Sequence, residues 1–370
     1  MKINVQPKPQ YLINAFMVFF IVHAMQVGVG VQGFQRVIYL ESKHDAWISV
    51  LIAGAAANLI GWIIFKTLSM YQSADLFGIH FDIYGKWLGS LLNFIYIFHC
   101  LAAFFVITRN YIEVVQAWVF PDLPTWFISL TIMLLVMYGL TGGFRTIVGF
   151  CFFSIIFTVW MISLLAFPFQ FANWEYLSPI LESDLKEILK GARQMTFTVL
   201  GFELLYAFYP YVNEKEKINK YFQYGLLFTT FLYLIIMVIS LAYFSGGQLE
   251  RTIWGTLSLF KIVRLPFIER FEYVAVSSWI ILILPNLMLY LWSASRGLSR
   301  IWNRSMINIS WLLAFFLYLS LQIFLTRIEI NLINDNYAKY AFYLVFVYPI
   351  FLYIIALFKK RIKNQRGEPR

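Results

Sequence analysis

This chain predicts an all-α membrane protein of about ten transmembrane helices, on three observations: an apolar excess, apolar runs of spanning length, and glycine-weakened breaks in two of those runs. Its 370 residues are 61% hydrophobic and only 13% charged, against roughly half and a quarter in soluble domains. A water-soluble fold has nowhere to hide that surplus, whereas lipid tails accept it. A helix needs about 20 apolar residues to cross the hydrocarbon core. About ten spans with short loops therefore use the whole length as a single transmembrane domain, residues 1–370, and the chain reads as no soluble enzyme.

The first apolar run, 11–35, follows MKINVQPKPQ, which offers no small-residue cleavage site, so it reads as a retained helix rather than a signal peptide. The second (45–69) and third (86–108) flank a short loop bounded by Lys66 and Lys86. The fourth (124–140) opens at Pro124, and the fifth (146–167) follows Arg145. The sixth (192–210) ends on Pro210, and the seventh (221–244) follows Lys215, Lys217 and Lys220. The eighth (271–295) stops at Arg296, the ninth covers 306–326, and the tenth (338–358) runs into the basic tail 359–370, KKRIKNQRGEPR. Between them, 173–191 reads as a loop with a short surface helix, where Ser183, Lys186 and Glu187 form a weak helix-start signal. Segment 248–266 is amphipathic, with Arg251, Lys261 and Arg264, and reads as an interfacial helix along the membrane surface.

Net charge is +10. A soluble protein so charged would suggest a nucleic-acid partner. Here the cations sit in loops and in the tail, so no nucleic acid is expected. With the N-terminus cytoplasmic, Lys2, Lys8, Lys66, Lys86, Arg145, the lysines at 215–220, Arg296, Arg300, Arg304 and the tail all fall inside. The positive-inside rule then places both termini in the cytoplasm, with the tail meeting anionic membrane lipid or docking a partner protein. Cys100 and Cys151 fall within apolar runs. Neither they nor four scattered histidines (His23, His44, His80, His99) suggest a disulfide framework or metal site. No phosphate loop, metal spacing or serine elbow is present, so no catalytic residue and no cofactor is expected.

Two spans carry backbone breakers. The first contains MQVGVGVQGF, with Gly28, Gly30 and Gly33; the sixth contains LGFELLYAFYP, with Gly201, Glu203 and Pro210. Glycine inside a helix costs about 1 kcal/mol relative to alanine. Non-helical backbone at membrane depth survives only where protein buries it or a polar cavity takes it up. The two breaks hold the same place in two five-helix halves, approximately 11–167 and 192–358. Such pairing points to an inverted repeat with a solute site between the broken helices. Amides freed at a half-helix N-terminus favour a carboxylate, and freed carbonyls favour an ammonium group or a cation. The alternative is that the glycines only let helices pack closely.

A carboxylate such as Glu203 inside a membrane is expensive. Either it anchors the unwound segment or contacts a ligand, or it pairs quietly with an arginine, Arg109 being one possible partner; Glu272 lies nearer the interface. His99, near the centre of the third span, is either a packed polar residue or points into a cavity, with Ala103 one turn along the same face. On the eighth span Asn286 and Tyr290 are spaced i and i+4 beside Pro285. The proline frees a carbonyl, which either kinks the helix beside a cavity or is an ordinary kink satisfied by Asn286.

Three stretches, LGFELLYAFYPYVNEKEK (200–217), TIWGTLSLFKIVRLPFIERFEYV (252–274) and ITRNYIEVVQAWVFPDLPTW (107–126), make the chain resemble the B-subunit family of spore germinant receptors. These GerB-type membrane proteins of endospore-forming bacteria are similar to amino acid–polyamine–organocation transporters. The likeness runs from about Tyr11 to Lys363; Phe34-Gln35-Arg36 stands where members often have Leu-Pro. It implies a LeuT-like fold of two inverted five-helix repeats with broken helices one and six. It implies germinant sensing in the spore inner membrane beside an A subunit and a lipoprotein C subunit, with a small germinant of the amino acid or nucleoside class. Carried onto this chain, the ligand site would comprise Gly28, Val29, Gly30, His99, Ala103, Leu200, Gly201, Phe202, Glu203, Asn286, Tyr290 and Phe342. The same fold would equally serve an amino acid permease coupled to proton or sodium, or a gated water or ion path.

Overall fold

In lipid every backbone amide needs an internal partner, so apolar runs of this length become helices. The computed structural model describes residues 3–266, 268–323 and 326–365. Span one is in two pieces, α1 (Met17–Gln26) and α2 (Phe34–Ser42). Spans two to five are α3 (Ala46–Leu68), α4 (Leu76–Trp118), α5 (Thr125–Thr141) and α6 (Phe144–Ser163). Span six is again divided, into α7 (Leu185–Gln194) with α8 (Thr196–Val199), then α9 (Leu205–Phe208). Span seven is α10 (Lys215–Tyr243). Two short helices, α11 (Gly246–Arg251) and α12 (Gly255–Phe260), precede span eight, α13 (Phe271–Ser278) with α14 (Ile280–Trp302). Span nine is α15 (Met306–Leu321), and span ten is α16 (Arg327–Phe342) joined through a π turn (Tyr343–Val347) to α17 (Tyr348–Gln365). Among the described residues, β pairing is limited to isolated bridges such as Asn4 with Ala74 and Ile13 with Val212.

The core is built on α14, which packs against α4, α5, α6 and α15, while α10 packs against α1 and α3. Trp126, Leu134 and Tyr138 of α5 and Trp311, Phe315 and Phe316 of α15 are exposed, as a lipid-facing surface requires. Gly85 (φ 76, ψ −169) ends a short amphipathic piece of α4 and starts the spanning part. Its backbone lies in the left-handed region that glycine adopts without penalty.

The cation-bearing segments gather at one end. Arg145 Nε donates to Leu12 O at 2.9 Å, and Lys215 Nζ donates to Gln72 O at 2.6 Å. Buried Asp75 accepts from Arg296 Nη2 at 2.8 Å, pairs with Arg300, and caps α4 through Gly78 N at 3.0 Å. Beneath them the N-terminal segment is laced to the loop between spans two and three, Val5 N to Ser73 O at 2.8 Å and Ser73 Oγ to Val5 O at 2.7 Å. Lys359 pairs with Asp82 at 3.1 Å. Lys2 and the end of the basic tail, 366–370, lie outside the described residues.

Several expected limits shift. Spans three, seven, eight and ten run well past their apolar cores, because helices continue into the water-facing zone where a hydropathy count sees no signal. The stretch 173–191, expected as loop with a short surface helix, holds loop and then α7, which starts at Leu185 with most of its side chains exposed and runs on to Gln194, past the expected start of span six at 192. Asp184 rather than Ser183 stands at its start, its N–H donating to Glu187 Oε2 at 3.0 Å; Ser183 Oγ donates to Ser42 O at 2.9 Å. Segment 248–266 is not one continuous helix. It is two short helices with Leu249, Leu257, Leu259 and Phe260 buried, packed over Gly33, where a Cβ would collide with Ile253 O.

Candidate functional site

Span one stops being helical at Val27 (φ −96, ψ 97) and resumes as a 3₁₀ turn, Gly30–Gln32. Four of the carbonyls released there meet side-chain donors. Asn286 Nδ2 donates to Ala24 O at 2.7 Å and Val27 O at 3.3 Å, while keeping Leu282 O of its own helix at 3.1 Å. Tyr233 Oη donates to Gln26 O at 2.7 Å, and Trp279 Nε1 donates to Gly28 O at 3.2 Å. Those carbonyls, which by themselves would attract a cation, are thus held by a phenol from span seven and by an amide and an indole from span eight.

Span six breaks at Leu200 (φ −60, ψ 165) and Gly201 (φ 109, ψ −27). Here glycine is obligatory twice over: φ is left-handed, and a Cβ would stand 2.7 Å from Met25 O. The two breaks therefore touch. Gly30 is equally close to the second one, its Cβ position 3.0 Å from Thr198 Cα. Gln26 Nε2 donates to Val199 O at 2.9 Å, so a side chain of span one satisfies the last carbonyl before the break in span six.

Glu203, 2% exposed, is the staple of that break. Its Oε2 accepts from Gly201 N at 2.7 Å; its Oε1 accepts from His99 Nε2 at 3.0 Å and from Tyr290 Oη at 3.3 Å. Tyr96 Oη donates to Glu203 O at 3.3 Å. The His99 ring stacks on Tyr337, centroids 5.7 Å apart at 15°. The Gly201 amide, His99 and Tyr290 meet the carboxylate itself, which is how a buried acceptor is kept inexpensive. Arg109, expected as a possible partner, is not the group bonded to it: it lies ten residues beyond His99 on α4, about 15 Å along the axis.

Between the breaks lies a tight cavity of about 30 Å³, room for a water-sized group in this packing. Of the expected residues, Gly28, Val29, Gly30, Ala103, Leu200, Asn286 and Tyr290 line it. His99, Gly201, Phe202 and Glu203 do not; they form the layer beneath, and Glu203 borders a second, mostly apolar cavity with Tyr96 and Tyr206. Phe342 is not at the cavity either. Its ring stacks on Phe346 (5.7 Å, 19°) with the Arg193 guanidinium 5.0 Å above it, on the outer side of span ten. The reason is the helix phase: Tyr337, five residues earlier, takes the inward position.

Residues absent from the sequence expectation complete the wall: Met25, Gln26, Ile107, Phe197, Thr198 and Tyr337. Gln26 stands two residues before the first glycine of the cluster, and a glutamine beside a break was a readable signal. Tyr337 falls one residue outside the expected tenth span, and Phe197 and Thr198 carry no local mark. None of the residues lining this cavity, among those described, is charged. Opposed broken backbones, an uncharged wall and aromatic rings on one side enclose this small space.

Set against known proteins, residues 12–333 match the family model described as spore germination protein. The chain is 36% identical to spore germination protein GerQB of Bacillus cereus over 96% of its own length and 98% of that protein. It is 25% identical to spore germination protein YndE of Bacillus subtilis (strain 168), over 86% and 88%. Among solved structures it is similar to MhsT in complex with L-phenylalanine, with TM-score 0.63 and 14% identity, covering 95% of this chain and 89% of that one. At that identity the likeness speaks for the fold, a LeuT-type bundle with broken helices one and six.

Proposed function

This chain belongs to the family of spore germination proteins, and we propose that it is a germinant receptor subunit that binds a small germinant of the amino acid or nucleoside class between its two broken spans. The observation that supports this reading is the cavity itself: two broken backbones tied to each other through Gln26 and Val199, closed by Asn286, Tyr290 and Tyr337, with no charged side chain in the wall. The amides of Gly28, Val29 and Gly30 are suited to a carboxylate or hydroxyl, and Phe197 and Tyr337 to an apolar or flat portion of the ligand. Ligand contact with both breaks favours one packing of the bundle over another, and partner subunits, the A and C subunits that the resemblance implies, read the change. The chain is a multi-pass membrane protein; we place it in the spore inner membrane with its basic end, and so both termini, on the cytoplasmic side, where cations meet anionic lipid.

The test is germination of spores carrying Gly28→Val, which fills the cavity wall, beside wild type and a deletion of the chain, against a panel of amino acids and nucleosides. Germination of the Gly28→Val spores at wild-type germinant concentrations would count against the proposal. The transporter-like fold also supports a permease reading, coupled to proton or sodium. Concentrative uptake by the purified chain in proteoliposomes, without partners, would favour that alternative.

A further inference from the structure

We propose that Gln26 is the residue that selects the solute, by accepting a hydrogen bond from an N–H group on it. This rests on the small-solute site proposed above. Gln26 is 3% exposed, its Nε2 donates to Val199 O at 2.9 Å, and it lines the cavity. The Val199 carbonyl fixes which end of the amide is which: nitrogen toward Val199, oxygen away from it. That oxygen, Oε1, has no hydrogen-bond partner among the described residues. A buried amide oxygen without a donor is unfavourable, and a solute that supplies one relieves it.

The surrounding backbone sharpens the assignment. The carbonyls of Ala24, Gln26, Val27 and Gly28 are already engaged by Asn286, Tyr233 and Trp279, so most of the unwound chain here is taken up, whereas the Gln26 side-chain oxygen is an acceptor that is not. An amide oxygen takes N–H from an ammonium group or from an uncharged amine or amide alike. With no charged side chain lining the cavity, an ammonium must bring its own carboxylate, as in an α-amino acid, and an uncharged donor suits a nucleoside base. The shared chemistry is an N–H donor on a solute of no net charge. Because the same amide holds Val199 O, the solute is coupled through one side chain to both broken spans.

The experiment measures equilibrium binding to the full chain in detergent for the standard L-amino acids and for adenosine, guanosine, cytidine, uridine and inosine. Whichever binds is compared with its analogue fully methylated at the donor nitrogen, on wild type and on Gln26→Met. The expected result is that methylation weakens binding to wild type about tenfold or more, that Gln26→Met weakens the parent compound by a similar factor, and that methylation costs Gln26→Met nothing further. A methylated analogue that binds wild type as tightly as its parent, or a parent that binds Gln26→Met as tightly as wild type, overturns the proposal. If neither class binds wild type, the small-solute site falls and this inference with it, an outcome distinct from failure at Gln26 alone. The ligand comparison on wild type decides even if Gln26→Met does not fold.

Discussion

Glu203 Oε1 receives the Nε2 of His99 at 3.0 Å, joining span six to span three across 104 residues of sequence. The same carboxylate holds the amide of Gly201 at 2.7 Å. The acid in the middle of this membrane bundle thus fastens the broken segment, while the neighbouring cavity wall stays uncharged.

Removing that fastening should be costly. Glu203→Leu leaves the Gly201 amide, His99 and Tyr290 without an acceptor, at about 1–3 kcal/mol for each buried group so stranded. Glu203→Gln retains one acceptor oxygen and should lose less. Thermal unfolding in detergent should rank wild type above Gln above Leu, and an unchanged melting temperature for Leu would remove the fastening role.

The glycines of the two breaks should respond differently. Gly201→Ala meets a left-handed φ and Met25 O within 2.7 Å, so a loss of about 1–2 kcal/mol from the backbone alone is expected, with a lower yield of folded protein. At Gly28 the nearest atom to an added Cβ is Asn286 Nδ2 at 3.8 Å. Gly28→Ala should therefore fold normally. Equal melting temperatures for the two variants would contradict this geometry.

Asn286 supplies its amide nitrogen to three carbonyls. Asn286→Asp places a carboxylate oxygen against those same oxygens, which is tolerable only with a cation between them. The variant should melt lower than wild type in choline chloride and recover in sodium chloride, whereas wild type should show no such difference. A sodium-dependent wild type would show that the amide does not do the cation's work.

At the opposite end from the termini, Lys43, the residue after α2, pairs with Glu250 of α11 at 2.7 Å. Hydrogen bonding to Lys43 holds the Glu250 carboxyl below its ordinary range, and Glu250 raises Lys43 in turn. The lowered acid stabilises above its unfolded value and stops doing so as pH falls through the folded one. The raised amine stabilises below its unfolded value and stops as pH climbs through its own. The tie therefore spans the neutral range. Both groups are exposed, so the effect is small and screened by salt. A melting difference between wild type and Glu250→Gln at about pH 7 and low salt should vanish at about pH 3 or in about 0.5 M salt.

Sidedness is open to a direct measurement. Cys100 and Cys151 are both buried, so single cysteines introduced at exposed positions can be labelled selectively. Ser69→Cys and Ser305→Cys should react with an impermeant maleimide only from the cytoplasmic side, and Gly247→Cys only from the other. Labelling of all three from one face would overturn the arrangement of spans.

The linear sequence by itself determined how many times the chain crosses, which runs are lipid-compatible, and where the backbone is too weak to stay helical. Hydrophobic thickness and glycine or proline breaks are local properties, written in about 20 consecutive residues at a time. So were the cation-rich loops, which the fold gathers at one end through Arg145, Lys215 and Arg296. Only the tertiary structure decided who meets whom: His99 rather than Arg109 on Glu203, Asn286 on the carbonyls of span one, Gln26 on Val199, Tyr337 inward and Phe342 outward. Those choices depend on helix phase and on contacts across one to several hundred residues. No stretch of sequence encodes them alone, because each is settled by which packing leaves the fewest buried polar groups without a partner.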